Sequence, residues 1–158
     1  MFRIGIGHDT HRLVEGRPLV LGGVRIESER GADAHSDGDA LCHALADAIL
    51  GALAQGDLGV HFPDNDPRWR NADSLELLAW VSEVMRARGY KVVNADSTIS
   101  LERPKLRERI EAMRNALAGV LKVSTASINV KAKTGEGLDA VGRGEAVTVQ
   151  AIVLLSKD

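Results

Sequence analysis

The chain has few of the residues that mark several classes of protein. Its single cysteine, Cys42, cannot form an internal disulfide, so no oxidising compartment is required. Aromatic residues make up only 3% of the 158 residues, and the 20 Lys and Arg residues are slightly outnumbered by 22 Asp and Glu. Because neither a basic stripe nor a set of stacking aromatic rings is present, we expect no nucleic-acid surface. Any nucleotide that the chain binds should therefore be a small molecule.

Long apolar runs are missing as well. No run approaches the roughly 20 residues that a membrane-spanning helix needs. The first residues, Met1-Phe2-Arg3, lead directly into an alternating strand pattern, so we expect no signal peptide. The content of hydrophobic residues, 44%, and of charged residues, 27%, is typical of a globular protein. We therefore expect a soluble, cytoplasmic protein without membrane contact and with one domain over residues 1–158.

The hydrophobic pattern indicates strands and helices in mixed order. Ser36 is a plausible N-cap of the first predicted helix, and Pro104 fits the first position of the third. The predicted strands are Arg3–Asp9, Pro18–Val24, Val92–Leu101, a segment near Ile128 to Ala132 and one near Val147 to Val153, and the predicted helices run from Asp37 to about Ala54, from Asp73 to Gly89 and from Pro104 onward. A mixture without strict alternation favours an α+β fold, with helices packed on one face of a mixed β-sheet.

Three polar residues in the first half of the chain form a candidate metal site. Asp9 and His11 are two positions apart, so both side chains should point to the same side of the first strand. His43 follows one to two turns after the start of the first predicted helix. Two imidazoles and a carboxylate can hold Zn²⁺ and leave a fourth position open, as catalytic zinc sites do. The alternative is that these are unrelated polar residues, because an Asp-x-His pair alone is a weak motif.

The first predicted helix has small or apolar residues on nearly all sides, which indicates packing on more than one side. Its polar residues Asp39, His43 and Asp47 are spaced by four and share one face. One interpretation is a solvated polar face. We expect instead that Asp39 or Asp47 accepts a hydrogen bond from the second ring nitrogen of His43, because metal-bound histidines usually have such a partner.

Four further segments carry polar residues that core packing does not explain. His35 and Ser36 lie at a predicted helix N-terminus, where free N–H groups favour a phosphate. The other segments are an acidic loop over residues 57–66, a strand-to-helix junction over residues 101–107 and a glycine-rich loop over residues 131–145. Turn-forming residues also explain such loops without any ligand, and the glycine-rich loop does not match the P-loop pattern.

Taken together, these segments closely resemble the 2-C-methyl-D-erythritol 2,4-cyclodiphosphate synthase family of the non-mevalonate isoprenoid pathway. The resemblance covers essentially the whole chain. It is specific, because a chance match would have to reproduce all the separations at once. The matching motifs are Gly7-His8-Asp9-Thr10-His11, Ala34 to Asp39 with His43, Gly56-Asp57-Leu58-Gly59, Phe62 to Asp66, Asp73-Ser74, Pro104-Lys105, Asn129 to Ala132 and Gly142-Arg143-Gly144-Glu145.

The resemblance implies a reaction, an assembly and two metal ions. The family converts 4-diphosphocytidyl-2-C-methyl-D-erythritol 2-phosphate to the cyclic diphosphate and releases CMP. It forms homotrimers with active sites between subunits. By motif, Asp9, His11 and His43 would hold one Zn²⁺ per subunit. Glu136 would hold a second divalent cation, Mg²⁺ or Mn²⁺.

The resemblance also implies roles in catalysis and substrate binding. His35 and Thr134 would be the catalytic residues that stabilise the transition state. The implied substrate-binding residues are Asp9, His11, His35, Ser36, Asp57, Leu58, Gly59, Phe62, Asp64, Asp66, Leu101, Pro104, Lys105, Leu106, Lys133, Thr134, Gly135, Glu136, Ala140 and Arg143.

Two other functions stay open at this point. A zinc hydrolase acting on a nucleoside diphosphate derivative would need a metal-held water and a general base beside it. A non-catalytic regulator that binds metal and nucleotide would bind CMP without turnover.

Overall fold

The computed structural model describes residues 1–63 and 65–157. Its strands and helices, in chain order, are β1 (Phe2–Glu15), β2 (Leu19–Leu21), β3 (Val24–Ile26), β4 (Arg30–Ala32), α1 (Ala40–Ala52), α2 (Leu58–His61), α3 (Ser74–Ala87), β5 (Lys91–Ser100), α4 (Ile110–Leu121), β6 (Ile128–Lys133), α5 (Asp139–Gly142) and β7 (Ala146–Ser156). Single 3₁₀ turns lie at Pro67–Trp69, Arg107–Arg109 and Thr125–Ser127.

Five of the strands form one mixed sheet in the order β4-β1-β7-β5-β6. The pairs β1–β4, β1–β7 and β5–β7 are antiparallel, whereas β5 and β6 run parallel. The helix α1 packs on β1 and β7, α4 packs on β6, and α3 lies against both helices. The predicted α+β fold, with helices on one face of a mixed sheet, is therefore confirmed. Within the described residues, no helix has both the length and the apolarity to cross a bilayer.

The two faces of the sheet differ in exposure. The helix-covered face includes the residues predicted for the last strand, which are fully buried: Val147, Val149, Ala151 and Val153. The opposite face, called the open face below, carries large apolar side chains at Ile4 (71% exposed), Ile6 (68%) and Ile152 (47%). Exposed apolar side chains grouped on one surface mark a site of association.

Two glycines bring α1 into direct contact with β1. An added Cβ at Gly7 would lie 1.8 Å from the carbonyl oxygen of Ala44, and one at Gly5 would lie 1.9 Å from that of Ala48. Because the obstructing atoms belong to the helix backbone, no side chain fits at either position. Ten of the 13 residues of α1 are buried, which confirms that this helix is packed on more than one side. The close approach places His43 beside the strand.

The predicted single strand at Pro18–Val24 is wrong. Gly22 and Gly23 have φ angles of 58° and 71°, and they form the two-residue turn of the β2–β3 hairpin. Two successive positive φ values are what a tight hairpin turn of matching twist requires, and glycine adopts them without steric cost. The first strand, in contrast, runs beyond its predicted end at Asp9, because its pairing with β7 continues to Arg12.

The predicted N-cap at Ser36 is also wrong. The Ser36 hydroxyl accepts the N–H of Gly38 at 3.1 Å, and Gly38 has a φ of 72°, so the chain is not helical here. The N-cap is Asp39, whose carboxylate accepts the N–H groups of Leu41 at 3.1 Å and Cys42 at 3.0 Å. A local turn therefore uses the serine and delays the helix.

The other two predicted helix starts have different outcomes. The start near Asp73 is confirmed, because its carboxylate caps α3 through the N–H of Leu75 at 2.8 Å. The start at Pro104 is wrong, since α4 begins at Ile110. The intervening chain turns Leu106 into the core, where it is 3% exposed, and then makes a 3₁₀ turn.

Candidate active site

Asp9, His11 and His43 lie together where β1 meets α1. One ligand atom from each of the three lies within 4.8 Å of the other two. The Asp9 Oδ2 atom is 2.9 Å from His11 Nδ1 and 3.2 Å from His43 Nδ1. The spacing of two along the strand therefore puts both β1 residues on the same side, as predicted.

The geometry of this cluster fits a divalent cation. The Nδ1 atom of His11 is buried and makes no hydrogen bond to any of the described residues, although the Asp9 oxygen is 2.9 Å away. Two ligand atoms at about 2.0–2.1 Å from one tetrahedral zinc ion lie about 3.3 Å apart without pointing at each other. Close, poorly aligned donor atoms of this kind can hold Zn²⁺, and two imidazoles with one carboxylate leave a fourth position for a ligand.

The charge states of Asp9 and His43 depend on their neighbours in the cluster. Burial opposes the ionised form of Asp9, but the adjacent imidazoles of His11 and His43 outweigh it and hold the pKa of the carboxyl well below its usual range. Burial likewise opposes the protonated form of His43, yet Asp9 raises the pKa of that ring. The cluster therefore favours positive charge next to an ionised Asp9.

The predicted partners of His43 on its own helix are not its partners in the structure. Asp39 is 0% exposed and, besides capping α1, accepts the N–H groups of the two turn glycines of the β2–β3 hairpin at 2.8 Å and 2.6 Å. Asp47 accepts the N–H of Leu58 at 2.7 Å. The prediction that Asp39 or Asp47 holds the His43 ring is therefore wrong, because backbone N–H groups bind both carboxylates.

Two serines contact the far side of the His43 ring: Ser36, which was expected to bind substrate, and Ser74, which was assigned no role from the sequence. The Nε2 atom of His43 lies 2.9 Å from the hydroxyl of Ser74 and 3.4 Å from that of Ser36. Ser74 is hydrogen-bonded in turn to Asp37. Because 31 residues separate Ser74 from His43, no local pattern connects them.

His35 lies between two cavities. The group of Asp9, His11 and His43 is called the metal cluster below. The first cavity, of about 380 Å³, opens beside it and is lined by Thr10, His11, Asp33, Ala34, His35, Ser36, His43, Phe62, Trp69 and Leu77. The second, of about 570 Å³, is lined by Arg17, Ala34, His35, Asn65, Pro67, Arg70 and Asn71. The two cavities share Ala34 and His35, and the second adds two guanidinium groups that suit an anionic ligand.

The substrate-binding residues predicted in the acidic loop, residues 57–66, lie in different surroundings. Asp57 is the N-cap of α2, which contains Leu58 and Gly59, and Asp66 forms an ion pair with Arg68 at 2.6 Å. Phe62 lines the first cavity and packs edge-on against Trp69 at 4.8 Å between ring centroids. The predicted residue Asp64 lies outside the described residues.

A second group of predicted residues lies at the carboxyl ends of β5 and β6. The N–H of Leu101 donates to the Lys133 carbonyl at 2.9 Å, and the Thr134 hydroxyl donates to Glu136 at 2.7 Å. The N–H of Gly135 donates to the Glu102 carboxylate at 2.9 Å. Leu106 is buried, while Pro104 and Lys105 lie in the loop before it. Below, this group is called the loop cluster.

Ala140 and Arg143 lie beyond the loop cluster. Ala140 lines a separate cavity of about 560 Å³ together with Thr10 and Glu145. Arg143 forms an ion pair with Glu145 at 3.1 Å.

The sheet register separates the metal cluster from the loop cluster. One row across the sheet runs from Thr10 to Thr148, Ser100 and Lys133 on successive strands. Three strand spacings of about 4.8 Å amount to about 14 Å between the two ends of that row. The first cavity has no lining residue from the loop cluster. The structure of one chain therefore does not bring Thr134 to His43.

Comparison with known proteins identifies the family. The model of the YgbB family matches residues 2–156 of this chain. The chain belongs to the YgbB family. A curated relative, the 2-C-methyl-D-erythritol 2,4-cyclodiphosphate synthase of Geobacillus kaustophilus, is 55% identical over 99% of both chains. The synthase of Synechococcus elongatus is 52% identical, over 99% of this chain and 98% of its own.

Solved structures of YgbB-like proteins share the fold. The bifunctional IspDF from Campylobacter jejuni superposes with a TM-score of 0.96 at 41% identity, and this chain covers 43% of that longer chain. A 2C-methyl-D-erythritol-2,4-cyclodiphosphate synthase in its CDP-bound form has a TM-score of 0.90 at 45% identity, over 98% of this chain and 100% of that one. The Plasmodium falciparum IspF CDP complex has a TM-score of 0.87 at 32% identity, over 99% and 97% of the two chains.

Proposed function

We propose that this chain catalyses the conversion of 4-diphosphocytidyl-2-C-methyl-D-erythritol 2-phosphate to 2-C-methyl-D-erythritol 2,4-cyclodiphosphate, with release of CMP. The main support is that Asp9, His11 and His43 lie together beside the cavity of about 380 Å³ that His35 lines. The chain is also 55% identical, over 99% of its length, to a 2-C-methyl-D-erythritol 2,4-cyclodiphosphate synthase. The chain is a lyase of isoprenoid biosynthesis. A single domain over residues 1–158 suits the end-to-end family match, and a cytoplasmic location suits a phosphorylated substrate.

The reaction needs no activated water. An oxygen of the substrate's 2-phosphate attacks the β-phosphorus, and the bond from that phosphorus to the CMP oxygen breaks, so CMP leaves with the bridging oxygen. The task of the protein is to hold a flexible chain with the two reacting groups in line. Well-oriented intramolecular reactions gain up to about 7–11 kcal/mol from such positioning.

In this proposal Asp9, His11 and His43 hold one Zn²⁺, and Glu136 holds a second divalent ion, Mg²⁺ or Mn²⁺. Bound there, the two ions supply positive charge against the phosphate oxygens. His35 and Thr134 donate hydrogen bonds to the oxygens on which charge increases during transfer. The position of His35 between the two cavities supports its role.

The remaining contacts divide by the part of the substrate. Asp57 and Gly59 bind the sugar hydroxyls, and residues 101–107 enclose the cytidine, mainly through backbone groups. The CDP-bound structures of two relatives support a cytidine nucleotide as the ligand of this chain. The other substrate-binding residues named from the sequence keep that role here as part of the proposal.

We propose that the protein forms a homotrimer and that each site is shared by two subunits. Two observations support this. The metal cluster and the loop cluster lie about 14 Å apart across the sheet of one chain. The open face exposes Ile4, Ile6 and Ile152, which suits contact with further copies of the sheet. A contact between unlike surfaces that closes by rotation gives a ring of three.

The decisive test is turnover of the predicted substrate in water enriched in ¹⁸O. Cyclisation should release CMP, form a cyclic diphosphate visible by ³¹P NMR, and incorporate no ¹⁸O. A linear product containing ¹⁸O would contradict cyclisation and identify the zinc hydrolase alternative. Binding of CMP without any product would identify the regulator alternative.

A second test addresses the metal. We expect about one tightly bound zinc ion per chain, because three ligands leave one open position. His43→Ala should remove most of the zinc and nearly all turnover. The matched control is His61→Ala, since the His61 ring lies in another contact, against Trp80 and the Gln55 carbonyl, and its loss should leave the zinc content unchanged. Full zinc content in His43→Ala, measured by elemental analysis, would exclude His43 as a ligand.

A further inference from the structure

Ser74 occupies a position that joins a metal residue to a carboxylate. It is the first residue of α3, and it is 1% exposed. Its hydroxyl is hydrogen-bonded to Asp37 Oδ1. The hydroxyl oxygen of Ser74 also lies 2.9 Å from His43 Nε2. A hydroxyl has one proton to donate, and an ionised carboxylate can only accept. The hydroxyl proton therefore points to Asp37, and a lone pair of Oγ faces the His43 ring.

This arrangement selects one form of the neutral His43 ring. An oxygen lone pair opposite Nε2 requires a proton on Nε2, which leaves Nδ1 unprotonated. Nδ1 is the atom that faces Asp9 Oδ2 at 3.2 Å in the metal cluster. We propose that Ser74 and Asp37 are positioning residues, which fix the tautomer and orientation of His43 so that Nδ1 is its metal-binding atom. This inference rests on the metal site of the proposed function.

Asp37 is itself held from two sides, so it can orient the serine. Its Oδ2 atom accepts the backbone N–H of Ser74 at 3.0 Å, and its own N–H donates to the Ala72 carbonyl at 3.1 Å. A second backbone hydrogen bond joins the same two segments, because the N–H of Asn71 donates to the His35 carbonyl at 2.8 Å. The segment that carries His35 is thereby bonded to the start of α3, and Asp37 and Ser74 are fixed in one geometry.

Ser36 is the weaker partner of the same ring nitrogen. Its hydroxyl lies 3.4 Å from His43 Nε2, at the limit for a hydrogen bond, and it already accepts the N–H of Gly38 at 3.1 Å. The shorter contact of 2.9 Å belongs to Ser74. Ser74 therefore decides the proton position on the ring.

The first experiment measures metal affinity instead of activity. Metal-free protein is titrated with Zn²⁺ or Co²⁺ in competition with a coloured chelator. Ser74→Ala should weaken binding about 10–100-fold, the usual effect of removing a partner of a metal-bound histidine. The matched control is Ser82→Ala, which removes a hydroxyl from the same helix at the same 1% exposure, where the oxygen has no hydrogen-bond partner within the described part of the chain. This control should bind both metals as the unchanged chain does.

A double variant tests whether Asp37 acts through Ser74. Asp37→Asn alone should weaken metal binding. In the pair Asp37→Asn and Ser74→Ala, the loss should be only slightly larger than in Ser74→Ala, because the hydrogen-bonded route from the carboxylate to the ring is already broken and only the through-space effect of the Asp37 charge on His43 remains. Losses that add in full would overturn the role of Asp37.

A spectroscopic measurement on the unchanged chain keeps the proposal testable if Ser74→Ala folds poorly. In zinc-loaded protein with ¹⁵N-labelled histidine, NMR should show His43 with its proton on Nε2 and with Nδ1 as the metal-bound nitrogen. Zinc bound through Nε2 would overturn the proposal. So would metal affinity in folded Ser74→Ala equal to that of the unchanged chain. Failure of the unchanged chain to bind zinc at all would instead overturn the metal site of the proposed function.

Discussion

At the scale of single residues, Asp39 shows why a polar residue one turn from His43 does not contact its ring. The side chain is 0% exposed and accepts four backbone N–H groups, two from the start of α1 and two from the β2–β3 turn. A buried carboxylate is tolerated only when hydrogen bonds replace its hydration. Because these four donors satisfy the oxygen lone pairs, Asp39 joins the helix to the hairpin and leaves His43 to a partner from another element.

Cys42, adjacent to the proposed metal ligand His43, should be chemically inert in the folded chain. The side chain is 0% exposed, and burial, followed by the Asp39 carboxylate, raises the pKa of its thiol. A raised pKa means less thiolate, so an aromatic disulfide reagent should not react with the native protein and should react with about one thiol per chain after unfolding.

The control for this prediction places a thiol at an exposed position. Glu29→Cys should give one fast-reacting thiol in the folded protein, because Glu29 lies on the surface. Reaction of the unchanged chain at the rate of this surface thiol would show that the region around α1 opens readily.

Thr134 should act on the transition state and contribute little to nucleotide binding. Its hydroxyl donates to Glu136 at 2.7 Å in the loop after β6, and this proton can turn to the phosphate when Glu136 holds the proposed cation. Thr134→Ala should lower kcat by about 10²-fold, the usual cost of removing one transition-state donor. The dissociation constant of CMP should change little, because the lost interaction forms as charge develops.

The comparison for Thr134 is Thr125→Ala, which removes an exposed hydroxyl that bonds to Asn115. It should leave both kcat and CMP affinity unchanged. Steady-state kinetics and calorimetry of CMP binding separate the two effects. Weaker CMP binding with an unchanged kcat in Thr134→Ala would make the threonine an ordinary ground-state contact.

At the scale of the elements, the contact of α1 with β1 depends on Gly7. Gly7→Ala would place a Cβ 1.8 Å from the Ala44 carbonyl oxygen, so the helix must move away from the strand. We expect a loss in the free energy of unfolding of about 3 kcal/mol or more, at the upper end of the overpacking range. Zinc affinity should fall as well, because the same contact brings His43 to Asp9.

Urea unfolding checks this prediction against a second glycine. An added Cβ at Gly119, on the exposed side of α4, would meet no atom within 4 Å. Gly119→Ala should therefore stabilise the protein by about 0.5–1 kcal/mol, the helix-propensity difference. If both variants show equal stability, helix and strand do not pack as closely as the structure has them.

The elements also show what sequence reasoning could predict and what it could not. The period of two placed Asp9 and His11 on one side of β1, because strand geometry is local. The hairpin turn at Gly22 and Gly23 was missed, since the flanking apolar residues read as one continuous strand. The pairing of His43 with Ser74 is a tertiary contact across 31 residues, and only the folded chain determines it. Patterns repeated along the chain were thus predictable, whereas contacts between helices were not.

At the scale of the whole molecule, the two faces of the sheet differ in what they contact. The helix-covered face holds the core and the metal cluster, while the open face presents Ile4, Ile6 and Ile152 to solvent. Covering three such isoleucines by association would stabilise a complex by a few kcal/mol per chain, at about 1.5–3 kcal/mol for each fully buried side chain. In the proposed trimer, the loop cluster of one chain lies beside the metal cluster of the next chain in the ring.

If each site is shared, two inactive variants should complement each other. His43→Ala lacks a working metal cluster but keeps Thr134, and Thr134→Ala has the reverse defect. After denaturation and joint refolding, a mixed trimer contains interfaces at which an intact metal cluster meets an intact Thr134. With random assembly, the chain that supplies the metal cluster has it intact with a probability of one half. The neighbouring chain has Thr134 intact with the same probability, so one site in four is complete. Activity should therefore return to about a quarter of that of the unchanged protein.

Each variant refolded alone is the control for this experiment and should show no more than about 1% of the activity of the unchanged protein, the level expected of Thr134→Ala. Mixing the folded variants without denaturation should also give no activity unless the subunits exchange. Mass spectrometry of the intact complex should show trimers that contain both chains. If mixed trimers are present and activity does not return, the metal cluster and Thr134 do not serve one shared site. The separation of about 14 Å across the sheet would then have to be closed within a single chain.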